Sequence, residues 1–125
     1  MVELLFKDEV FAIQGAAFEV SREMGIGFLE GVYQECLEKE FTHRAIPYIR
    51  HPVLELSYKG APLAQTYCPD FVCFEKVVIE LKVARAINDA HRAQVFNYLR
   101  ATNLTLGLII NYGAPPKAQV ERIAL

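Results

Sequence analysis

The chain lacks paired cysteines, long apolar runs and an excess of basic residues. Its 125 residues include three cysteines without a C-x-x-C spacing, which argues against a disulfide framework, a closed zinc site and a four-cysteine iron–sulfur cluster. Lysine, glutamate or glycine interrupts the apolar runs, so no stretch predicts a transmembrane helix, and no basic leader opens the sequence. We therefore expect a cytoplasmic protein without a membrane partner.

The net charge of −2 and the pI near 5.9 provide no basic footprint of the kind that non-specific binding to nucleic acid usually leaves. This balance counts against a nucleic-acid partner. A cluster of carboxylates that binds divalent cations also makes a free site acidic, however, and the bound ions reverse the local sign of charge. The charge therefore excludes neither a protein that acts on nucleic acid nor one that does not.

The length suits one domain spanning residues 1–125, with its own hydrophobic core. Hydrophobic residues make up 53% of the chain, a share typical of a compact globular protein. The mean hydropathy of +0.18 is high for a chain this small and favours burial of apolar surface between subunits. A homodimer is therefore an expectation from composition.

Apolar residues at helical spacing predict two helices in the first part of the chain. The first helix covers about residues 7–24, with one apolar row and a second row beside it: Val10, Ile13, Ala17 and Val20, then Phe11 and Phe18. The second covers about residues 28–44, with these residues spaced for burial: Leu29, Val32, Cys36, Leu37 and Phe41.

The rest of the chain predicts strands and one more helix. Strands are expected at about 53–58, 65–73, 77–83 and 104–111, with a short edge strand at 120–123. A helix at about 86–102, with Ala93, Phe96 and Leu99 inward, connects the third and fourth strands, which should therefore be parallel. The predicted fold class is α/β: a mixed central sheet of about four strands flanked by helices.

The position of Asp70 and Glu80 is the central observation for function. Both lie five residues from Glu75, so a hairpin that is symmetric about Glu75 places the two acids opposite each other. Lys82 follows Glu80 by two residues and so points to the same face. Opposed carboxylates repel unless a cation lies between them, and Mg²⁺ prefers such oxygen ligands.

The alternative for these residues is a solvated strand pair with a Glu–Lys ladder. For Asp70 or Lys82 alone, that alternative is favoured. For the trio it weakens, because Glu80 and Lys82 interrupt the apolar run from Val77 to Val83, where charges are costly to bury. The histidines show no spacing typical of a metal site and are expected on the surface or in loops.

Three motifs resemble one known family. Pro69-Asp70 followed by Glu80-Leu81-Lys82 resembles the signature of the PD-(D/E)XK nuclease superfamily, and the element order from the second helix resembles its αβββαβ restriction-endonuclease-like core with an extra N-terminal helix. Residues 27–33, GFLEGVY, resemble the motif of the GxxExxY proteins, a prokaryotic branch of that superfamily. Residues 94–98 resemble the Q-x-x-x-Y motif of RecB-like nucleases.

The resemblance implies a nuclease that depends on Mg²⁺ or Mn²⁺ and acts on DNA rather than RNA. It implies the following metal ligands: Asp70, Glu80, the backbone carbonyl of Leu81, and Glu30 on the second helix. Lys82 would be the catalytic lysine, and Gln94 would approach the attacking water or the phosphodiester. Tyr98 would contact the substrate or Gln94.

Tyr33 shares a helical face with Glu30 and is a candidate for substrate binding, although its residue type favours packing. Two other functions remain open at this stage. One is a non-catalytic module that binds nucleic acid or protein and retains the fold. The other is an oligomeric accessory protein.

Overall fold

The computed structural model describes residues 5–125 of the chain. The elements run in this order: α1 (Lys7–Met24), α2 (Glu30–His43), β1 (Tyr48–Arg50), β2 (Leu54–Tyr58), β3 (Ala61–Tyr67), β4 (Phe71–Cys73), β5 (Val77–Lys82), α3 (Asp89–Thr102), β6 (Leu106–Asn111) and β7 (Gln119–Ala124). No helix among these residues is both long and apolar enough to cross a membrane.

The central sheet is mixed and has five strands, in the order β1-β4-β5-β6-β7. Strands β5 and β6 are parallel, as the predicted crossover through α3 requires, and the other neighbours are antiparallel. The fold class is therefore confirmed. The expected number of about four strands is too low, because β1 is only three residues long and follows Pro47 without a clear strand pattern.

The predicted strand at 65–73 is wrong. Pro69 and Asp70 lie outside any strand, and this break separates β3 from β4. Strand β3 pairs with β2 in a separate two-stranded hairpin, whereas β4 joins the central sheet. Proline cannot donate a hydrogen bond to a sheet ladder, which accounts for the interruption.

Helices α1 and α2 cover one face of the central sheet. The predicted inward row of α1 is buried, and α2 contributes Tyr33, Leu37 and Phe41 to the same core. The expected burial of Phe11 and Leu29 is wrong, since these side chains are 77% and 82% exposed. Leu29 precedes α2 rather than lying within it. Phe11 lies beyond the edge of the surface that α1 buries against the core.

Helix α3 and the β2–β3 hairpin cover the opposite face. Val95 and Leu99 of α3 are buried there against Val72, Val78 and further residues of the sheet. The expected inward position of Ala93 and Phe96 is wrong, because both are exposed while Val95 takes the core position. Leu99 is buried as predicted, so the buried face of α3 is rotated by about a quarter of a turn from the predicted face.

Candidate active site

A tight turn at Phe74 and Glu75 sets the register of the site. Both residues adopt left-handed backbone conformations, with φ of 56° and 60°. The flanking strands pair Cys73 with Val77, and the next two pairs continue in register to Phe71 and Ile79. This pairing is symmetric about Glu75, as predicted, so the next positions outward are Asp70 and Glu80.

Asp70 and Glu80 are held together by two hydrogen bonds to the backbone. The backbone N–H of Asp70 donates to Oε1 of Glu80 at 3.1 Å, and the backbone N–H of Leu81 donates to Oδ2 of Asp70 at 2.8 Å. Glu80 therefore anchors the residue before β4, and Asp70 anchors β5 next to Glu80. The side chains cannot separate without breaking these bonds.

Burial makes this pair electrostatically unfavourable without a cation. Glu80 shares its face of the sheet with Val72 and Val78 and is only partly exposed. Burial, and then the charge of Asp70, raises the pKa of Glu80 to about 7, although the Asp70 N–H and Lys82 favour its charged form. At neutral pH, Glu80 therefore lies near its midpoint, and a nearby positive charge would ionise it fully.

Glu30 and Lys82 extend the cluster. Glu30 begins α2, and partial burial followed by the charge of Asp70 raises its pKa, whereas the charge of Lys82 lowers it. Glu30 thus lies within electrostatic range of both residues. Lys82 ends β5 with its side chain half-buried, and its backbone carbonyl accepts from the N–H of Tyr112 at 2.9 Å.

The segment after Lys82 is fixed by Asn111, which the sequence analysis did not identify. Asn111 is fully buried, and its Oδ1 accepts from the N–H groups of Ala84 and Gly113 at 2.9 and 3.1 Å. Its Nδ2 donates to the carbonyl of Ala84 at 2.9 Å and to Oε1 of Gln119 at 3.0 Å. All four hydrogen-bonding positions of the amide are used, which fixes where β5 ends.

Gln94 and Tyr98 lie on the side of α3 that faces the β2–β3 hairpin. They border a cleft of about 380 Å³ between α3 and the hairpin, together with these residues: Leu56, Ser57, Leu63, Asn97 and Ala101. Gln94 is exposed, and no hydrogen bond joins it to Asp70 or Glu80 in the described part of the chain. A second cleft, of about 670 Å³, lies at the C-terminal end of α2, away from Glu30, and is lined by charged residues.

Tyr67 lies between Tyr98 of α3 and the two acids. Its ring stacks on Tyr98 with centroids 3.9 Å apart and planes 5° apart. Its hydroxyl is buried beside Glu80. Burial, the charge of Glu80 and a hydrogen-bonding contact with Glu80 raise the pKa of Tyr67, although that contact departs from ideal hydrogen-bond geometry.

Sequence reasoning missed Tyr67 for a clear reason. In an unbroken strand over 65–73, strict alternation places position 67 on the face opposite to Asp70. The break at Pro69 and Asp70 reverses that relation, and Tyr67 joins Val72 and Val78 on the face of the acids. No signal in the alternation pattern could have revealed it.

Tyr33 is a core residue. Its side chain is fully buried, stacks on Tyr112 with centroids 4.5 Å apart, and donates its hydroxyl to the carbonyl of Gly25 at 2.6 Å. The ring has no surface left for a substrate, so the structure corrects the expected substrate-binding role in favour of the packing alternative. We leave Tyr33 out of the site.

His51 is a loop residue, as expected, but it also supports the site. Its backbone is left-handed, with φ of 48°, and its N–H donates to the carbonyl of Asp70 at 3.0 Å. Its own carbonyl accepts from Sγ of Cys68 at 3.3 Å. These bonds fix the short segment that presents Asp70.

The donor set fits a hard divalent cation that keeps several waters. Asp70 and Glu80 supply two carboxylates at one position, and the raised pKa of Glu80 indicates a local deficit of positive charge. Within residues 5–125, no group of three or more His, Cys, Asp or Glu side chains is close enough to bind a metal by side chains alone. An ion here would therefore need backbone or water oxygens as well.

A family model described as the PD-(D/E)XK nuclease superfamily matches residues 7–123. The crystal structure of SSO0001 superposes with a TM-score of 0.57 and 12% identity, over 97% of this chain and 78% of that one. At this identity, the similarity concerns the fold. No curated protein matches the chain.

Proposed function

Since this chain belongs to the PD-(D/E)XK nuclease superfamily, we propose that it is a metal-dependent nuclease that hydrolyses phosphodiester bonds, in DNA rather than RNA. The Asp70–Glu80 pair is the observation that carries the proposal. A buried acid whose pKa is raised to about 7 beside a second carboxylate is a poor structural element but a good ligand for a cation. The family match and the geometry of the acid pair support the same chemistry.

In this proposal, Asp70 and Glu80 hold one Mg²⁺ or Mn²⁺ ion together with the backbone carbonyl of Leu81. Glu30 adds a further carboxylate from α2, either directly or through a bound water. The ion supplies Lewis-acid activation of the phosphodiester and of water when it is bound. Two arguments support these roles: the residues lie close together, and they match the pattern of the superfamily.

Lys82 is proposed as the catalytic lysine. It lies two residues after Glu80 on the same strand, and its charge influences both Glu80 and Glu30. From there, the ammonium group orients the attacking water and offsets the negative charge that develops on the phosphate oxygens. We place Gln94 and Tyr98 at the rim, where they contact the nucleic acid beyond the cleaved bond.

The test is a cleavage assay on the purified chain with plasmid DNA, single-stranded DNA and RNA. We expect cleavage with Mg²⁺ or Mn²⁺, no cleavage with EDTA, and a loss of activity in Lys82→Ala. Calorimetry with Mn²⁺ should show binding that disappears in Glu80→Gln. Cleavage that persists in EDTA, or at an unchanged rate in Lys82→Ala, would contradict the assignment.

Two observations favour a second candidate, a non-catalytic nucleic-acid-binding or protein-binding module with the same fold. The described residues lack a three-ligand side-chain cluster, and the net charge of −2 favours the protein-binding form of this candidate. This candidate predicts no Mn²⁺ heat in calorimetry and no cleavage under any of these conditions. Nucleic-acid binding that is the same with and without divalent ions would support it over the nuclease.

A further inference from the structure

The cleft between α3 and the β2–β3 hairpin, which we call the α3–hairpin cleft, has a neutral lining. Its volume of about 380 Å³ falls in the range of about 300–1,000 Å³ that is typical of small-ligand sites. Leu56 and Leu63 of the hairpin supply apolar surface, and no charged side chain lines the cleft in the described part of the chain. The lining therefore suits a neutral, partly apolar group rather than a phosphate.

Three uncharged polar side chains border the same cleft. Gln94 and Asn97 carry exposed amides on α3, and Ser57 carries an exposed hydroxyl on β2. An amide group both donates and accepts hydrogen bonds, as the edges of nucleobases do, and Asn or Gln pairs with such edges in complexes with nucleic acid. The polar part of the cleft therefore matches the edge of a base.

Tyr98 adds an aromatic wall to the α3–hairpin cleft. Its ring is half-buried, lies 3.9 Å from the ring of Tyr67 between centroids, and borders the cleft. Bases that are released from a duplex contact aromatic side chains of this kind, and such contacts contribute to binding whatever the base is. The cleft thus combines the two kinds of group that bind an unpaired base.

The same two rings connect the α3–hairpin cleft to the acids. The Tyr67 hydroxyl is buried beside Glu80, and the Tyr67 ring lies against Tyr98 at the wall of the cleft. Nearby nucleotides of one strand can therefore occupy both places. The net charge of −2 supports a role for bases, because a chain without a basic footprint gains little affinity from phosphates.

We propose that the α3–hairpin cleft binds one unpaired nucleobase, in contact with the Tyr98 ring and hydrogen-bonded by Gln94 and Asn97. This inference rests on the proposed function and names its substrate class. A base can offer its edge to these amides only when it is unpaired. The substrate is therefore a single strand, or a duplex with unpaired nucleotides beside the cleaved bond.

The first test fills the cleft. Ala101 lines it, so Ala101→Trp places an indole ring where the base would lie. The matched control is Ala93→Trp, at an exposed position of α3 that is turned by about 80° around the helix axis. The affinity for a fluorescent single-stranded DNA oligonucleotide is measured by anisotropy in Ca²⁺. We expect it to fall by about 5- to 150-fold in Ala101→Trp, as for the loss of one bound base, and to stay within about twofold in the control.

The second test changes the ligand. A strand of the same length that carries no bases keeps the phosphates, and a blunt duplex of the same sequence keeps its bases paired. We expect the wild type to bind both at least about fivefold more weakly than the single strand. We expect Ala101→Trp to bind the abasic strand as the wild type does, because the base and the filled cleft contribute the same interaction.

A milder variant covers the case in which tryptophan at position 101 disturbs the fold. Asn97→Ala removes one amide from an exposed helical position, where alanine favours the helix, so thermal unfolding should show an unchanged or higher melting temperature. Its affinity for the single strand should fall by about 2- to 10-fold, as for the loss of one hydrogen bond, while its affinity for the abasic strand stays the same.

Four results would overturn the inference. The first is wild-type affinity for the single strand in folded Ala101→Trp and in Asn97→Ala. The second is an equal loss in Ala93→Trp, and the third is equal binding of the abasic strand and the normal strand by the wild type. The fourth is a dimer, seen by light scattering, that dissociates in Ala101→Trp, which would assign the cleft to a second copy of the chain.

The proposed function can fail separately from this inference. Base-dependent binding without any cleavage in Mg²⁺ or Mn²⁺ would contradict the nuclease and support the base-binding cleft in a non-catalytic module. Metal-dependent cleavage that is the same in the wild type and in Ala101→Trp would support the nuclease and overturn the role of the cleft.

Discussion

Asp70 is tied to Glu80 by its own backbone N–H, which donates to Oε1 of Glu80 at 3.1 Å. In return, Oδ2 of Asp70 accepts the N–H of Leu81, the residue after Glu80. Two acids are thus held together by hydrogen bonds that each accepts from the backbone segment of the other. In the proposed function, the two acids are therefore positioned before any cation binds, at an electrostatic cost that the ion would remove.

Removing the charge of Lys82 should abolish cleavage without unfolding the chain. Lys82→Ala removes the group proposed to orient water and stabilise the transition state, so kcat should fall by about 10²–10⁴-fold. Steady-state cleavage of a labelled DNA measures it. Lys117→Ala is the control of equal charge, since Lys117 is exposed and lies over the ring of Phe18 in α1. A similar loss in both variants would point to a general charge effect.

The affinity for Mn²⁺ should rise with pH. Burial and Asp70 raise the pKa of Glu80 to about 7, so below that pH an ion must displace a proton before Glu80 can bind it. The apparent affinity should increase by up to about tenfold per pH unit below pH 7 and level off above it. Calorimetry at several pH values measures this, and a flat profile would contradict the assignment of Glu80.

The same group should make the metal-free protein less stable as the pH rises. The folded-state pKa of Glu80 is raised to about 7 from its ordinary value of 4.5, so the contribution of Glu80 to stability is fully present below about pH 4.5 and is lost as the pH passes through about 7. The size of this effect is about 3 kcal/mol at most. In Glu80→Gln this part of the slope should disappear from urea unfolding curves measured between pH 5 and pH 8. An unchanged slope would mean that Glu80 ionises normally.

Two substitutions of Asp70 should separate its structural role from its proposed ligand role. Asp70→Ala leaves the N–H of Leu81 without its acceptor and should lower the free energy of unfolding by about 1–3 kcal/mol. Asp70→Asn keeps an oxygen for that bond but removes the charge, so it should stay folded and lose Mn²⁺ binding. Denaturant unfolding and calorimetry on both variants test this. Full Mn²⁺ affinity in Asp70→Asn would remove Asp70 from the ligand set.

Gly113 should tolerate no side chain. A Cβ there would lie 2.3 Å from the carbonyl oxygen of Ala84, on the segment that Asn111 fixes after Lys82. Gly113→Ala should lower the free energy of unfolding by about 1–3 kcal/mol, as overpacking does, and displace Lys82 from the site. Gly31→Ala is the contrast, because nothing lies within 4 Å of its added Cβ in α2 and alanine favours helix. Thermal unfolding of the two variants should move in opposite directions.

The sequence predicts the parts of this structure that depend on local symmetry or connectivity. The turn at Glu75 predicts the pairing of β4 with β5, because only residue spacing is needed. The crossover through α3 predicts that β5 and β6 are parallel. Both predictions concern the strands that bring Asp70 and Glu80 together, so the centre of the candidate site is accessible from sequence.

The remaining errors come from contacts that are remote in sequence. The strand at 65–73 appears continuous until β3 is seen to pair with β2, and this pairing decides which face Tyr67 occupies. The rotation of α3 follows from the close approach of Val95 to Gly107, where an added Cβ would lie only 2.8 Å from Cγ1 of Val95. Neither partner can be identified from periodicity in one segment.

The β2–β3 hairpin forms a sheet of its own and borders the cleft beside α3 without being a strand of the central sheet. Its turn at Lys59 and Gly60 is exposed, with φ of 50° and 82°. Insertions at this tip would not change the pairing of β4 with β5, which brings Asp70 and Glu80 together. The hairpin is therefore the place where an engineer could graft new recognition elements and redirect what the protein binds while its chemistry is preserved.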